Sequence, residues 1–509
     1  MDKLARNRYC LIALVAEFAY MALELCASRL LSPSFGTTLD VWACIIGTIL
    51  ASSSVGNWLA GRLDGRVPAW VVVTVALAGC AATFGIAPVV TDVVSSSVVA
   101  CGIRRTAGAL VTCACVLVVP GVLFGTLPPT LAACHVAADR DDEGASSVSG
   151  FWAASTLGGL AGTFATALWL LPALGTGRLL LAMACVLIAL CLVSLAAFGE
   201  ARHVMCDCVS GASVVAIACC VAIVTGYAWV TMPGSSGGTD VWLDTLYGRA
   251  HVTDNVVDGS RVRMLEVSGG HESAVYTEPG REDELVFAYT NAMARVTDAV
   301  VDEGSSVLML GGGAYTMPAW LVREVGCHVD VMEIDEGVTQ VARDWFGLDD
   351  VVASAPNGMG LLTGDARVLL QESDDTWDVI CNDTFAGNEP ARSLVTAEAA
   401  RVVHDHLEEG GLYVCNVLGR TDLDANETFL GREMATLRQS FGLVKAFEVR
   451  TGARPEDPRN VIVVATDDLS WKAPGGMQEV EVGDLSDVRV LTDDDAPVEQ
   501  LTASLFEDS

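Results

Sequence analysis

The sequence predicts two unlike halves: a multi-pass α-helical membrane domain, then a doubly wound α/β domain of the Rossmann type with a small β region at its start. Three observations predict it. Apolar runs of membrane-spanning length recur through residues 1–232. Charge is sparse there and dense afterwards, with 11 basic and 12 acidic residues before position 233 against 19 and 51 beyond it. From residue 306 onward, short apolar strands alternate with helical stretches, and the first strand runs straight into Gly311-Gly312-Gly313.

Seven apolar runs, at about 9–28, 41–61, 68–90, 106–131, 150–172, 178–198 and 209–231, predict about seven transmembrane helices. The first is not a cleavable signal, because it carries Glu17 and Glu24 and is followed by further spans. Those carboxylates are seven residues apart and share one helix face. At membrane depth they either line an ion or substrate path or pair with a cation such as Arg29 or Arg62. Ala154, Gly158, Gly162 and Thr166 recur every fourth position in the fifth run, a pattern for close helix packing. Loop arginines and lysines favour a cytoplasmic N-terminus by only 7 to 4, so the side on which the second half lies stays open.

Residues 233–240 read as a Gly/Ser linker and 241–304 as a small β region plus a helix near 285–300. Over 305–468, strands are expected at 306–310, 328–334, 360–363, 377–382, 411–417, 443–449 and 460–466. Residues 469–509 form an acidic, Asp-rich tail expected to be poorly ordered. The net charge of −33 excludes a nucleic-acid partner, since a phosphate backbone would be repelled. Fourteen of the 17 cysteines lie before residue 233, and neither they nor the scattered histidines have metal-ligand spacing, so no metal is expected.

In a parallel sheet, ligands bind at the carboxyl ends of the strands. Here those ends carry Gly311, Gly312 and Gly313, then Glu333 with Asp335, then Gly364-Asp365-Ala366, then Asn382-Asp383-Thr384. Glycines let the backbone approach a ligand. Glu333 suits ribose hydroxyls, Asp365 an exocyclic amine of adenine, and Asp383 an amine or its proton at the pocket centre. The missing Gly-Lys-Ser/Thr phosphate loop argues against an NTPase.

With these motifs in place the chain resembles the spermidine synthase family of polyamine aminopropyltransferases, in the bacterial membrane-fused form with a transporter-like helical half. The resemblance rests on Glu24–Gly36, Val41-Trp42 and Gly61–Arg66 in the first half. In the second it rests on Tyr247–Val252, Gly269–Ser273, Leu308–Ala314, Met332–Asp335, Gly364–Arg367 and Asp378–Thr384. It implies a class I methyltransferase-like fold and an S-adenosyl co-substrate, decarboxylated S-adenosylmethionine or S-adenosylmethionine, that is not tightly bound. It further implies catalytic Asp383, with Glu272, Tyr289 and Thr384 at the amine substrate. Departures stand out against the same pattern. Ala314 replaces an aspartate after the glycines, Ala386 replaces a second acid after Asp383, Asn291 stands where an acid follows the tyrosine, and Glu272 replaces a glutamine.

The expected reading is a membrane-bound aminopropyl-type transferase in the plasma membrane, its soluble domain cytoplasmic if enzymatic. Its expected partners are the lipid bilayer and a small amine, with a homodimer allowed. The alternatives are an S-adenosylmethionine-dependent methyltransferase, or a non-catalytic transporter or sensor that binds a nucleoside or polyamine.

Overall fold

The computed structural model describes residues 2–36, 39–138, 144–198, 239–268, 270–281, 283–386, 389–420, 423–449 and 458–506. The chain divides into two compact units, Met1–Pro233 and Gly234–Ser509.

The first unit is helical, with α1 (Asp2–Phe35), α2 (Leu39–Leu63), α3 (Ala69–Ala100), α4 (Arg105–Ala137), α5 (Gly144–Ala165) and α6 (Leu171–Phe198). A π-helical turn at Thr166–Leu170 joins the last two. Among the described residues, five helical runs are long and apolar enough to cross a membrane, rather than the seven expected. The fifth, Val148–Leu195, covers two of the expected runs in 48 residues. At ~1.5 Å per residue it would be more than twice as long as a ~30 Å hydrocarbon core is thick. Gly175 breaks it, with φ 73° and ψ 167°. The expected run at 209–231, Arg202, Cys206, Cys208 and most of the linker lie outside the described residues.

Helix packing in this unit uses small residues, as the spacing predicted. A Cβ on Gly158 would sit 2.1 Å from the Leu14 carbonyl oxygen, and one on Gly162 2.6 Å from that of Phe18, so α5 lies directly on the backbone of α1. Glu17 and Glu24 are half-buried on α1. Glu17 faces Ser155 of α5, and between the two carboxylates Tyr20 donates to the Ile49 carbonyl of α2. Arg62 stacks on Trp58 at 4.4 Å rather than pairing with either acid. Arg29, half-buried, lies on the last turns of the same helix.

The second unit opens with a four-stranded antiparallel meander, β1 (Asp240–Asp244), β2 (Arg249–Val257), β3 (Ser260–Val267) and β4 (Gly270–Tyr276), followed by α7 (Ala288–Asp298). Next comes an eight-stranded sheet comprising β5 (Ser306–Leu310), β6 (His328–Glu333), β7 (Met359–Thr363), β8 (Trp377–Asn382), β11 (Leu407–Gly419), β12 (Leu443–Glu448), β13 (Arg459–Thr466) and β14 (Gln478–Glu479). A two-stranded ladder, β9 (Phe385–Ala386) with β10 (Glu389–Pro390), lies outside it. The spatial order is β14-β12-β13-β11-β8-β5-β6-β7. The five strands from β11 to β7 are parallel, whereas β13 runs antiparallel to both β11 and β12. The sheet is therefore mixed rather than wholly parallel, which is the methyltransferase-like variant of the Rossmann architecture. Its central strands are buried on both faces, with Val307, Val329, Val379 and Val414 in the core on one side and Leu308 and Ile380 in the core on the other.

One expectation fails outright: the tail is packed. Leu485, Val488, Leu491, Val498 and Leu501 are buried in the same core as Leu430 and Val463, and β14 pairs with β12. Scattered apolar residues anchor a segment whose average composition is acidic.

Candidate active site at the carboxyl ends of the strands

The chain runs outward from β5 through β6 to β7 and then crosses back to β8 on the other side of β5. That is the topological switch point, where a crevice must open beyond the strand ends. The backbone ties the crevice walls together. The Gly311 N–H donates to the Met332 carbonyl at 2.9 Å, that of Asp383 to Leu310 at 3.0 Å, and that of Gly364 to Glu333 at 2.9 Å.

The glycine turn is as tight as the sequence implied. Gly311 has φ +88°, and a Cβ there would lie 2.7 Å from the Asp383 carbonyl oxygen, so position 311 tolerates no side chain. Tyr315 also takes a left-handed conformation, φ +59°, and its hydroxyl is held 2.8 Å from Thr339 Oγ1.

Glu333 braces this turn. Its Oε2 accepts from Gly312 N at 2.8 Å and Gly313 N at 3.3 Å, and its Oε1 accepts from Asp335 N at 3.0 Å. Burial raises its pKa, opposed by those three N–H donors. With about four lone-pair sites on a carboxylate, roughly one remains for a ligand hydroxyl. Asp335, by contrast, has both carboxylate oxygens engaged by backbone N–H groups. Only 2% exposed, it caps the following helix, α8 (Glu336–Phe346), through the Gly337 N–H and accepts from Tyr247 N with its other oxygen. Asp365 likewise caps its helix, accepting from Arg367 N at 2.9 Å, but it is half-buried at the crevice, and Ala366 behind it is buried.

Asp383 is the centre of the constellation. Burial pushes its carboxyl up to about 6, against hydrogen bonds from Asn416 and Tyr289 that favour the ionised form. Asn416 donates to Asp383 Oδ1 at 2.8 Å and is itself oriented by Asn460, whose Nδ2 donates to Asn416 Oδ1 at 2.9 Å. With its oxygen engaged, the Asn416 amide must present its NH2 to the carboxylate. The single Tyr289 hydroxyl proton serves either Asp383 or the Glu272 backbone carbonyl 3.2 Å away, and Glu272 lies close enough to Asp383 to feel its charge. The Glu272 carboxyl is raised well above its ordinary value by burial, then by the charges of Asp383 and Glu333. Three carboxylates thus converge on one crevice, an arrangement that attracts a cation.

Thr384 holds the strand end, its hydroxyl and N–H both donating to Asn382 Oδ1, and Asn382 Nδ2 donates to the Tyr413 hydroxyl. The ladder of β9 and β10 follows immediately. Ala314 is 4% exposed and packs with Ala250, Val252, Leu265, Val338 and Val341, where the meander meets α8. Its N–H donates to Ser273 Oγ at 3.0 Å. Asn291 turns back to the Leu285 and Phe287 carbonyls, away from the crevice. Asn416 and Asn460 escaped the sequence reading. The available signal was a lone amide inside the apolar run Val414-Cys415-Asn416-Val417.

Residues 286–434 match the family model of the spermine/spermidine synthase domain. The C-terminal half carries a spermidine synthase domain. Among the similar proteins, a probable polyamine aminopropyl transferase of Bifidobacterium longum is 26% identical over 212 residues, covering 41% of this chain and 43% of that protein. A polyamine aminopropyltransferase of Thermococcus kodakarensis is 35% identical over 133 residues, covering 24% of this chain and 44% of that protein. The chain therefore spans less than half the length of these curated relatives. A probable spermidine synthase of Corynebacterium glutamicum, solved as a crystal structure, aligns with a TM-score of 0.42 at 20% identity, over 50% of this chain and 96% of that one. The matched domain has the three strand-end motifs and the aspartate after β8.

Proposed function

We propose that the chain is a multi-pass membrane protein whose synthase domain transfers an aminopropyl-type group from an S-adenosyl donor to a small amine. The observation that carries this reading is Asp383, set at the switch point, buried to a pKa of about 6 and oriented by Asn416 and Tyr289. The donor's nucleoside lies along the ends of β5, β6 and β7. Glu333 offers its remaining lone pair to a ribose hydroxyl, and Asp365 faces the base.

In the reaction, the lone pair of the acceptor nitrogen attacks the methylene carbon bonded to the sulfonium. A C–N bond forms as the C–S bond breaks, and its electron pair returns to sulfur, leaving neutral methylthioadenosine. Asp383 accepts a hydrogen bond from the attacking nitrogen, orients its lone pair along the C–S axis, and takes the proton released as the bond forms. Glu272 supports an ammonium group beside it, since an unpaired cation in this half-buried crevice would be costly. Negative charge on these acids also stabilises the cationic nitrogen as it develops.

A second reading has one specific observation in its favour. Ala314, buried against apolar neighbours, provides no acid to hold an aminopropyl ammonium at that wall. An S-adenosylmethionine-dependent methyltransferase would not need one. Calorimetry of the full chain in detergent with S-adenosylmethionine, its decarboxylated form and methylthioadenosine, followed by mass analysis with putrescine, distinguishes the readings. Aminopropyl transfer is the expected result. Methyl transfer alone selects the second reading, and no binding of any of the three ligands removes both. Protease protection in intact cells tests the proposed cytoplasmic side of the domain in the plasma membrane, with protection expected.

A further inference from the structure

Next to the crevice, Arg367, Gln371, Arg392, Ser393, Thr396 and Asp493 line an open groove of about 500 Å³. Every lining residue is polar, so the groove does not suit an apolar ligand. Two arginines converge here in a half of the chain that holds 19 basic residues against 51 acidic ones. The Arg367 side chain is 13% exposed, and a guanidinium so far out of water needs anionic or carbonyl partners. It has some: Nη1 donates to the Ser393 carbonyl at 3.0 Å, and Nη2 to Asp493 Oδ2 at 3.2 Å. Its buried Nε has no hydrogen-bond partner.

The anion in this arrangement comes from the tail. Thr396 Oγ1 donates to Asp493 Oδ1 at 2.6 Å, so the two carboxylate oxygens are divided between a hydroxyl and a guanidinium. Arg392 Nη2 reaches only the Asp493 backbone carbonyl, at 3.5 Å. A carboxylate has two oxygens and both are used, whereas a tetrahedral phosphate brings further oxygens for the groups still short of an acceptor.

We infer that Arg367, Arg392 and Thr396 form an oxyanion site of phosphate chemistry, in which the Asp493 carboxylate stands as an internal substitute. The site touches both walls of the crevice. The Arg367 N–H donates to Asp365, and Ser393 and Thr396 follow the β9–β10 ladder that leaves Asp383. An anion that displaces the Asp493 carboxylate therefore breaks two ties between the tail and the segment bordering the pocket, while the Ala397 N–H still donates to the Leu491 carbonyl at 2.9 Å. The phosphate group can belong to a soluble ligand or to a lipid headgroup.

The test is calorimetry of the full chain with inorganic phosphate, in neutral detergent, comparing wild type with Asp493→Ala. Removing the internal competitor should tighten phosphate binding at least tenfold, and adding Arg367→Gln should abolish it. Repeating the titration of Asp493→Ala in nanodiscs of phosphatidylcholine and of phosphatidic acid identifies the source. Equal affinities assign a soluble phosphate, and weaker binding in phosphatidic acid assigns the lipid headgroup. If Asp493→Ala does not fold, Asp493→Asn removes the charge while keeping a group for Thr396, and should still tighten binding. Phosphate binding that is no tighter in the Asp493 variants, or that survives Arg367→Gln, overturns the inference.

Discussion

Replacing Asn416 by leucine removes the one amide that donates to Asp383 Oδ1 while keeping the side-chain volume similar. A hydrogen bond to a charged acceptor contributes ~1.5–3 kcal/mol, and one pH unit corresponds to about 1.4 kcal/mol. The loss should therefore raise the Asp383 pKa by roughly one to two units. In the wild-type protein burial has already pushed that carboxyl up to about 6. The sign follows from the chemistry: the working form is the carboxylate, so kcat/KM for transfer falls as pH drops through its pKa. The acidic limb should lie near 6 in the wild type and move to about 7–8 in Asn416→Leu. Methylthioadenosine release measured from pH 5 to 9 reads the limb directly. The plateau at high pH should change far less than the limb. An unmoved limb, with only the plateau lowered, would refute the role given to Asn416 and the assignment of the limb to Asp383.

Asn460→Leu removes the donor that fixes the Asn416 amide, and should move the same limb in the same direction by a smaller step, roughly half a unit to one unit; a limb left at 6 would separate Asn460 from the relay. Asp383→Asn should abolish transfer yet stabilise the fold. A carboxyl whose folded pKa exceeds its unfolded value carries a penalty that is full above the folded value, declines as pH falls through about 6, and vanishes below the ordinary carboxyl range. Chemical denaturation should show a gain of up to ~3 kcal/mol at pH 7.5 that disappears near pH 3. Gly311→Ala forces a methyl onto the Asp383 carbonyl at a left-handed φ, so calorimetry should find nucleoside binding lost even where the protein remains folded. Leu491→Ala truncates a fully buried tail residue and should cost ~2–5 kcal/mol in denaturant titration; a cost near zero would mean the tail is not part of the core.

What the sequence made legible was local. An apolar strand followed by three glycines, and acids at successive strand ends, are signals carried within a few residues of one another, and the structure brings Gly311, Glu333, Asp365 and Asp383 to one crevice. The errors arose where local pattern and distant packing disagree. Asp335 sits two residues after Glu333 and was grouped with it, yet the same position is an N-cap, and spacing alone does not separate a ligand from a cap. Asn416 reaches Asp383 only because β11 pairs with β8 in the register Cys415↔Asn382, a pairing across 33 residues that no local pattern encodes. The tail misled by composition, because Leu485, Val488, Leu491, Val498 and Leu501 bury against the core from among many aspartates. In the helical unit the small-residue spacing was read correctly, since Gly158 and Gly162 meet the backbone of α1. The boundary expected between the runs 150–172 and 178–198 coincides with the helical break at Gly175.

The central claim is that Asp383 handles the acceptor amine while the neighbouring strand ends hold an adenosyl donor. It is tested most directly by a single-turnover experiment on the full chain, with decarboxylated S-adenosylmethionine and putrescine, comparing wild type with Asp383→Asn. The account predicts one methylthioadenosine per aminopropylated amine in the wild type, and undiminished donor binding with no product in Asp383→Asn. Product formation that survives Asp383→Asn would contradict it.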